Sequence, residues 1–333
     1  LSQQFWRRLS QAFFVLASLW IGYQFYQFYL YLEGTGPAAS RPPGVEGYLP
    51  IAALVGLKYW LTTGNWDPVH PAGLTLLLFF LAISWLLHKA FCSWICPIGS
   101  LFESVSWLGR KLGLPGHKQP WPRRHLVLKI LDWLLRSIKY ILMIFFLYYI
   151  LLGMSGEELA AYLQTPYMAL ADVAMLQFFL SPGTVFLTVV GIFLLGSLFG
   201  TNLWCRYLCP YGALMGLMGS LGLSRVQRDN NSCINCQACN RACPNWLPVA
   251  ESRRVHSPDC HLCLQCVSAC PVPGTLKPGF WSRFTGKEAM TVAVLVLGLF
   301  LLVYVVARLT GHWDNGLSID FYRQMRAFYT GHP

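Results

Sequence analysis

The chain has 333 residues, of which 55% are hydrophobic and only 12% charged, with a formal net charge of +11 and a mean hydropathy of +0.45. Soluble domains carry about 25% charged residues, so this balance excludes an ordinary water-soluble enzyme and, more firmly, a disordered chain. What remains is a polytopic membrane protein, in which each helical span needs about 20 apolar residues.

In chain order, the first predicted span covers residues 10–32, preceded by Arg7 and Arg8. The arginine pair has only a superficial likeness to a twin-arginine signal. The apolar run after it is long and aromatic and no small-residue cleavage site follows, so a retained first helix is expected. The apolar stretch 47–57 is too short to span and is followed by Lys58, which predicts a re-entrant or interfacial segment packed against the bundle. Further spans are predicted at 71–87, 138–154, 183–204 and 289–307. Lys139, near one end of its span, is expected to snorkel to the interface.

The basic residues set the topology. Arg7, Arg8, the loop after the second span and the region after the fourth together hold 20 of the 25 lysines and arginines. The opposite side holds Arg41, Lys58, Arg308, Arg323 and Arg326 only. By the positive-inside rule the N-terminus is cytoplasmic, the chain sits in the inner membrane, and the C-terminal tail lies outside. The charge is thus accounted for by insertion, which removes the reason to expect a nucleic-acid partner.

All 12 cysteines fall between Cys92 and Cys270, on the predicted cytoplasmic side. Thiols there are kept reduced, which favours metal ligation over disulfides. Cys233, Cys236, Cys239 and Cys243, followed by Pro244, read C-x2-C-x2-C-x3-C-P, and Cys260, Cys263, Cys266 and Cys270, followed by Pro271, repeat the pattern. This is the bacterial ferredoxin run, in which three close cysteines hold one [4Fe–4S] cube and the fourth ligates the other. The expected ligand sets are therefore Cys233, Cys236, Cys239 and Cys270 for one cluster, and Cys260, Cys263, Cys266 and Cys243 for the second. A pair of zinc knuckles would need only four ligands per site and leaves the duplicated Cys-Pro without a purpose.

The remaining four cysteines form a second repeat. Cys92-Ser93-Trp94-Ile95-Cys96-Pro97-Ile98-Gly99 closes the second span, and Cys205-Arg206-Tyr207-Leu208-Cys209-Pro210-Tyr211-Gly212 closes the fourth. Both read C-x3-C-P-x-G. At i, i+4 spacing the two thiols are expected on one face of a helix that the proline then disrupts. If the two helix ends meet, four thiols converge, and they suit a third iron–sulfur cluster, another soft metal such as Cu(I), or a dithiol–disulfide pair. Packing as small hydrophobes is the plainer reading, and the repeat argues against it. Spacing does not choose between cluster and thiol chemistry.

Haem is the rival cofactor. His70 and His88 flank the second span, with His125 and His312 as conceivable partners, but no span carries a histidine in its interior. Haem is therefore not expected, and His261 reads as a loop residue. Quinone is a candidate partner, although no motif marks a pocket for it. The predicted fold is an all-α polytopic membrane protein of about five transmembrane helices plus a short re-entrant segment, with an inserted cytoplasmic α+β two-cluster ferredoxin domain. Its segments are 1–222 with the first four spans, 223–286 as the ferredoxin insert, and 287–333 as the fifth span and outer tail. In that tail Trp313, Phe321, Tyr322, Phe328 and Tyr329 suggest either a docking segment or adhesion to the membrane surface.

Two C-x3-C-P motifs, a two-cluster ferredoxin insert and a further span together resemble the membrane polyferredoxin family, as do residues 41–51 (RPPGVEGYLPI) and 66–74 (WDPVHPAGL). That family includes NapH-type quinol-dehydrogenase subunits, the membrane domain of NosR and CcoG-type copper-handling proteins. The likeness runs from the first span to the fifth. A NosR-like outer flavin domain and a CcoG-like outer β-domain are not expected. The resemblance implies an electron-transfer subunit of a respiratory complex, passing electrons between the ferredoxin clusters, the four-cysteine site, and quinone or an outer-side redox protein. The alternatives are a metal reductase or maturation factor that loads copper through the C-x3-C-P thiols, and a redox sensor.

Overall fold

The computed structural model describes residues 3–114, 125–200, 202–279 and 287–330, the last four by backbone alone. The basic residues Lys118, Arg123, Arg124 and Arg283, and the side chains of Phe328 and Tyr329, lie outside that description. The chain is mostly helical. A long α1 (Gln3–Leu32) leads through a 3-10 turn (Pro43–Tyr48) to α2 (Pro50–Thr63), α3 (Pro71–Leu86), a single turn α4 (Phe91–Trp94) and α5 (Pro97–Lys111). Then come α6 (Leu126–Leu147), continued by a π-helical turn to Gly153, the short α7 (Gly156–Leu163) and α8 (Pro166–Ala169), α9 (Ala171–Leu180) and α10 (Thr184–Leu198). A π-helical turn (Trp204–Leu208) precedes α11 (Pro210–Ser220). The insert contributes β1 (Val226–Arg228), α12 (Ala238–Ala242), α13 (Gln265–Ser268) and β2 (Leu276–Pro278), and the chain closes with α14 (Glu288–Leu309) and α15 (Ile319–Thr330).

Among the described residues two helical stretches, Leu126–Gly153 and Glu288–Leu309, are long and apolar enough to cross a membrane. The pair α9 and α10, bent by 77° at their break, qualifies together as one broken span, and α3 is apolar but shorter. The exposure pattern of α6 is inverted relative to a soluble helix. It buries Asp132, Lys139 and Met143 and exposes Leu131, Leu134, Ile141 and Phe145. An apolar outer face over a polar inner one is what lipid demands. The same inversion marks α5, which buries Ser100, Glu103 and Ser106 and exposes Ile98, Leu101 and Leu108. This is a membrane protein.

Two expectations need correction here. Lys139 does not snorkel: it is fully buried and paired with Asp259, a carboxylate that offsets the loss of water. The helix expected to run to 204 stops at Leu198, where the Phe199 amide bonds to Gly196 O at 3.1 Å and the chain turns at Gly200.

By its contacts the chain divides into two compact units. The first (Leu1–Val15, Phe80–Met143, Thr188–Leu299) contains all the cysteines. Its insert is closed by an antiparallel pairing of β1 with β2, in the register Val226↔Pro278, Gln227↔Lys277 and Arg228↔Leu276. The second unit (Leu16–Phe79, Ile144–Leu187, Phe300–Pro333) is built on Phe25, Phe28, Leu32, Val45, Leu170, Val173 and Tyr322. Beside that core the buried Arg41 guanidinium bonds Glu46 at 2.7 Å and Asp172 at 2.5 Å. The predicted re-entrant stretch is the 14-residue α2, with Ala52–Gly56 and Lys58 buried and the Lys58 ammonium donating to Met154 O. The tail corrects another expectation. Tyr322 is buried edge-on against Phe28 at 5.5 Å and Trp313 against Tyr304 at 5.0 Å, so both serve the core of this unit.

Candidate functional site

The two ferredoxin runs repeat in backbone conformation as well as in sequence. Asn235 and Gln237, two and four residues after Cys233, have φ of 54° and 59°; Leu262 and Leu264, at the same offsets from Cys260, have φ of 47° and 58°. A left-handed non-glycine residue costs about 1–2 kcal/mol, so four of them in matching positions mark loops whose shape is imposed. Each loop curls and then enters a short helix, α12 or α13, that carries the third cysteine.

Each loop walls a small cavity of about 20 Å³. Cys233, Cys236, Cys239 and Cys270 line the first; Cys243, Cys260, Cys263 and Cys266 line the second. Three cysteines of one run thus share a cavity with the fourth cysteine of the other. The two cavities differ electrostatically. At the first, Cys236 is exposed, and the Asn235 amide and the Arg228 guanidinium, 3.2 Å away, draw the Cys233 thiol below its ordinary pKa. At the second, burial pushes Cys260 and Cys263 up to about 12 and Cys266 well above its ordinary value. Among the described residues no three His, Cys, Asp or Glu groups converge on a single-ion geometry; the thiols stand around the cavity walls instead.

The C-x3-C-P-x-G repeats fold differently from the single helix expected for them. Cys92 lies in the four-residue α4, and Cys205 in the π-helical turn. Pro97 and Pro210 break nothing: each opens a helix, where its missing N–H is no loss, and Cys96 and Cys209 are the N-caps of α5 and α11. The Cys96 sulfur accepts from the Gly99 amide at 3.4 Å and the Cys209 sulfur from the Gly212 amide at 3.2 Å. The two glycines are not equivalent. A Cβ on Gly99 would stand 2.2 Å from Cys92 O, whereas one on Gly212 would meet Cys209 Sγ at an ordinary 3.5 Å. Gly99→Ala is therefore expected to destroy the site and Gly212→Ala to be tolerated, as read by iron content of the purified variants. Equal iron in both would contradict this.

The four thiols lie within electrostatic reach of one another. Cys205 interacts with Cys209, Cys96 and Cys92, and Cys96 with Cys92 and Cys209. Burial pushes Cys92 up to about 11 and Cys96 up to about 12. Lys89 stands beside them: it is buried, and despite that burial Cys92, Asp259, Cys209 and Cys205 hold its ammonium above the ordinary lysine pKa.

Both motif loops dock on the second ferredoxin cavity. Between Cys92 and Cys96, Ser93 Oγ donates to His261 O at 2.5 Å and Trp94 Nε1 to Leu262 O at 3.1 Å. Between Cys205 and Cys209, Arg206 donates to Asn245 O at 2.5 Å and lies 5.1 Å over the Trp246 ring. Its Nη2 also bonds both oxygens of Asp132, at 2.9 and 2.8 Å. Sequence reasoning counted Lys89 and Arg206 only as topology charges. A cation adjacent to, or inside, a thiol motif was the signal to use.

The histidines are engaged elsewhere. His70 faces Met168 O at 2.8 Å and Glu46 at 3.5 Å, and His88 faces Gly219 O at 2.6 Å and Ser257 O at 3.1 Å. His312 meets Thr310 Oγ1 at 2.8 Å, and His125 is exposed. His261 is buried in the wall of the second cavity, where loss of water lowers it to about 4.

Known proteins share these features. A family profile described as "4Fe-4S binding domain" matches residues 69–115 and again 182–228, one C-x3-C-P motif in each. A "4Fe-4S dicluster domain" profile matches residues 225–271. Over 327 residues, 96% of this chain and 89% of the relative, the sequence is 38% identical to the Escherichia coli (strain K12) protein YccM, named as an electron transport protein. The chain belongs to the membrane polyferredoxin family. Further relatives are the ferredoxin-type protein NapH of Haemophilus influenzae, 27% identical over 80% of this chain and 86% of that protein, and the methylamine utilization ferredoxin-type protein MauN of Methylorubrum extorquens, 30% identical over 68% and 74%. No solved structure matches. Membership makes the chain an iron–sulfur electron-transfer protein of the membrane.

Proposed function

We propose that the chain is a membrane electron conduit with three iron–sulfur centres. Cys233, Cys236, Cys239 and Cys270 would hold the first cube, Cys260, Cys263, Cys266 and Cys243 the second, and Cys92, Cys96, Cys205 and Cys209 a third. A bound [4Fe–4S] cube supplies a one-electron carrier whose potential follows charge, hydrogen bonding and exposure. Four thiols spaced around a wall suit a cube with iron at its corners, where tetrahedral zinc draws all four sulfurs to about 2.3 Å from one point. The observation that carries this reading is the docking of both C-x3-C-P loops on the backbone around the second cavity. It favours a short route from the exposed first centre through the second to the third.

The chain's own groups fit that role. Amides of Gly99, Gly212 and Leu247 donate to the sulfurs of Cys96, Cys209 and Cys243, and Arg228 to that of Cys233. Lys89 opposes the negative charge of four thiolates where water does not. In the topology we favour, the ferredoxin insert is cytoplasmic and the C-terminal tail is outside, so the third centre would exchange electrons with quinone or an outer-side redox protein. The segments 1–222, 223–286 and 287–333 keep their proposed roles as bundle, insert and closing span.

Lys89→Gln tests this reading. Removing a buried positive charge beside an anionic centre should lower its midpoint potential by on the order of 100 mV, about 2 kcal/mol for one electron. Lys89→Arg should stay near the parent. An EPR-monitored redox titration in which all three proteins titrate alike would contradict an anionic centre among these cysteines.

A further inference from the structure

A cleft of about 630 Å³ in the cysteine-bearing unit is lined by none of the twelve cysteines. Its lining changes character along α1. Arg8, Arg110 of α5 and Arg241 of the insert share its wall with Trp107, and Ala12 and Val15 continue it along α1. Arg7, also in the wall, is already satisfied, bonding both oxygens of Glu103 at 2.6 and 2.5 Å. Arg8, Arg110 and Arg241 have no carboxylate within ion-pair distance among the described residues; Arg8 and Lys111 lie over the Trp107 ring at 6.0 and 5.2 Å. With Glu103 the one carboxylate in its lining against four arginines, the cleft keeps a net positive charge that suits an anion.

The apolar end decides what kind of anion. Val15 belongs to the predicted first span, and Trp107 is an exposed residue of α5, the helix whose outer face is apolar. The cleft therefore grades from guanidinium to hydrocarbon within one wall. We propose that it binds an anionic phospholipid from the cytoplasmic leaflet, its phosphate held by Arg8, Arg110 and Arg241 and an acyl chain along Ala12, Val15 and Trp107. Lipid in this position fastens α1, α5 and the insert to one another beside the cluster loops. The proposal requires the membrane setting but is independent of how many clusters the chain holds.

The test uses the full chain, purified with its clusters and stripped of lipid by detergent exchange. Phosphatidylglycerol in mixed micelles should raise its thermal unfolding midpoint and persist on the protein in native mass spectrometry, whereas phosphatidylcholine should do neither. Arg8→Gln/Arg110→Gln/Arg241→Gln should weaken phosphatidylglycerol binding at least tenfold with iron content unchanged. Ala12→Trp, which fills the apolar end and leaves the arginines, should weaken it likewise and serves if the triple variant does not fold. Equal effects of phosphatidylcholine and phosphatidylglycerol would overturn the proposal. So would full stabilisation by inorganic phosphate alone, which would mark a site for free phosphate, or undiminished binding by Ala12→Trp.

Discussion

Replacing Arg206 by leucine is expected to destabilise the cysteine-bearing unit by about 3–5 kcal/mol, the usual cost of orphaning one side of a buried ion pair. Arg206 sits inside the second C-x3-C-P loop with its side chain 3% exposed, and fastens that loop to α6 through Asp132 and to the second ferredoxin cavity through Asn245 O. Arg136, 3.2 Å from Asp132, and the Tyr207 hydroxyl at 2.6 Å remain in the variant, so the cost should fall toward the lower end. Lysine should not rescue. One ammonium cannot reach the Asp132 carboxylate and the Asn245 carbonyl together, nor present a flat face to Trp246. Thermal unfolding in detergent, with iron content alongside, reads both effects. An Arg206→Leu protein with parental midpoint and iron would show that the loop is held some other way.

The second large effect concerns the four motif cysteines. Cys92→Ala with Cys205→Ala takes one thiol from each half of the site and should remove about four irons per chain, those of one cube. The signals of the ferredoxin pair should persist, because neither loop around the two small cavities loses a ligand. Single replacements should weaken the centre more than they abolish it, since a cube held by three thiolates can survive with a water-derived fourth ligand. Retention of all iron in the double variant would mean that these thiols hold no cluster.

The two repeated ferredoxin loops were readable in the sequence because their spacing is a covalent constraint: each run of C-x2-C-x2-C-x3-C-P folds as a left-handed loop that enters a short helix. The existence of the second repeat was equally legible. Its local structure was not, because proline has two opposite meanings. Inside a helix it breaks; at the first position it starts, and only the extended backbone at Cys96 and Cys209 decides between them. Lys139 misled for a related reason. A lysine near a span end usually reaches for water, and its actual partner, Asp259, lies 120 residues away in sequence, beyond any local pattern. The tail aromatics show the same limit: Tyr322 reads as an exposed amphipathic residue until the core of Phe25, Phe28 and Val45 closes over it.

The central claim is that the cysteines divide into two ferredoxin sets and one further cluster-binding set. Iron and labile-sulfide analysis of the anaerobically purified full chain, with EPR of the dithionite-reduced protein, tests it most directly. Three cubes predict about twelve irons and as many sulfides per chain, with a third reduced-cluster signal beside the ferredoxin pair. About eight irons, with only the ferredoxin signals and four titratable thiols left over, would contradict it.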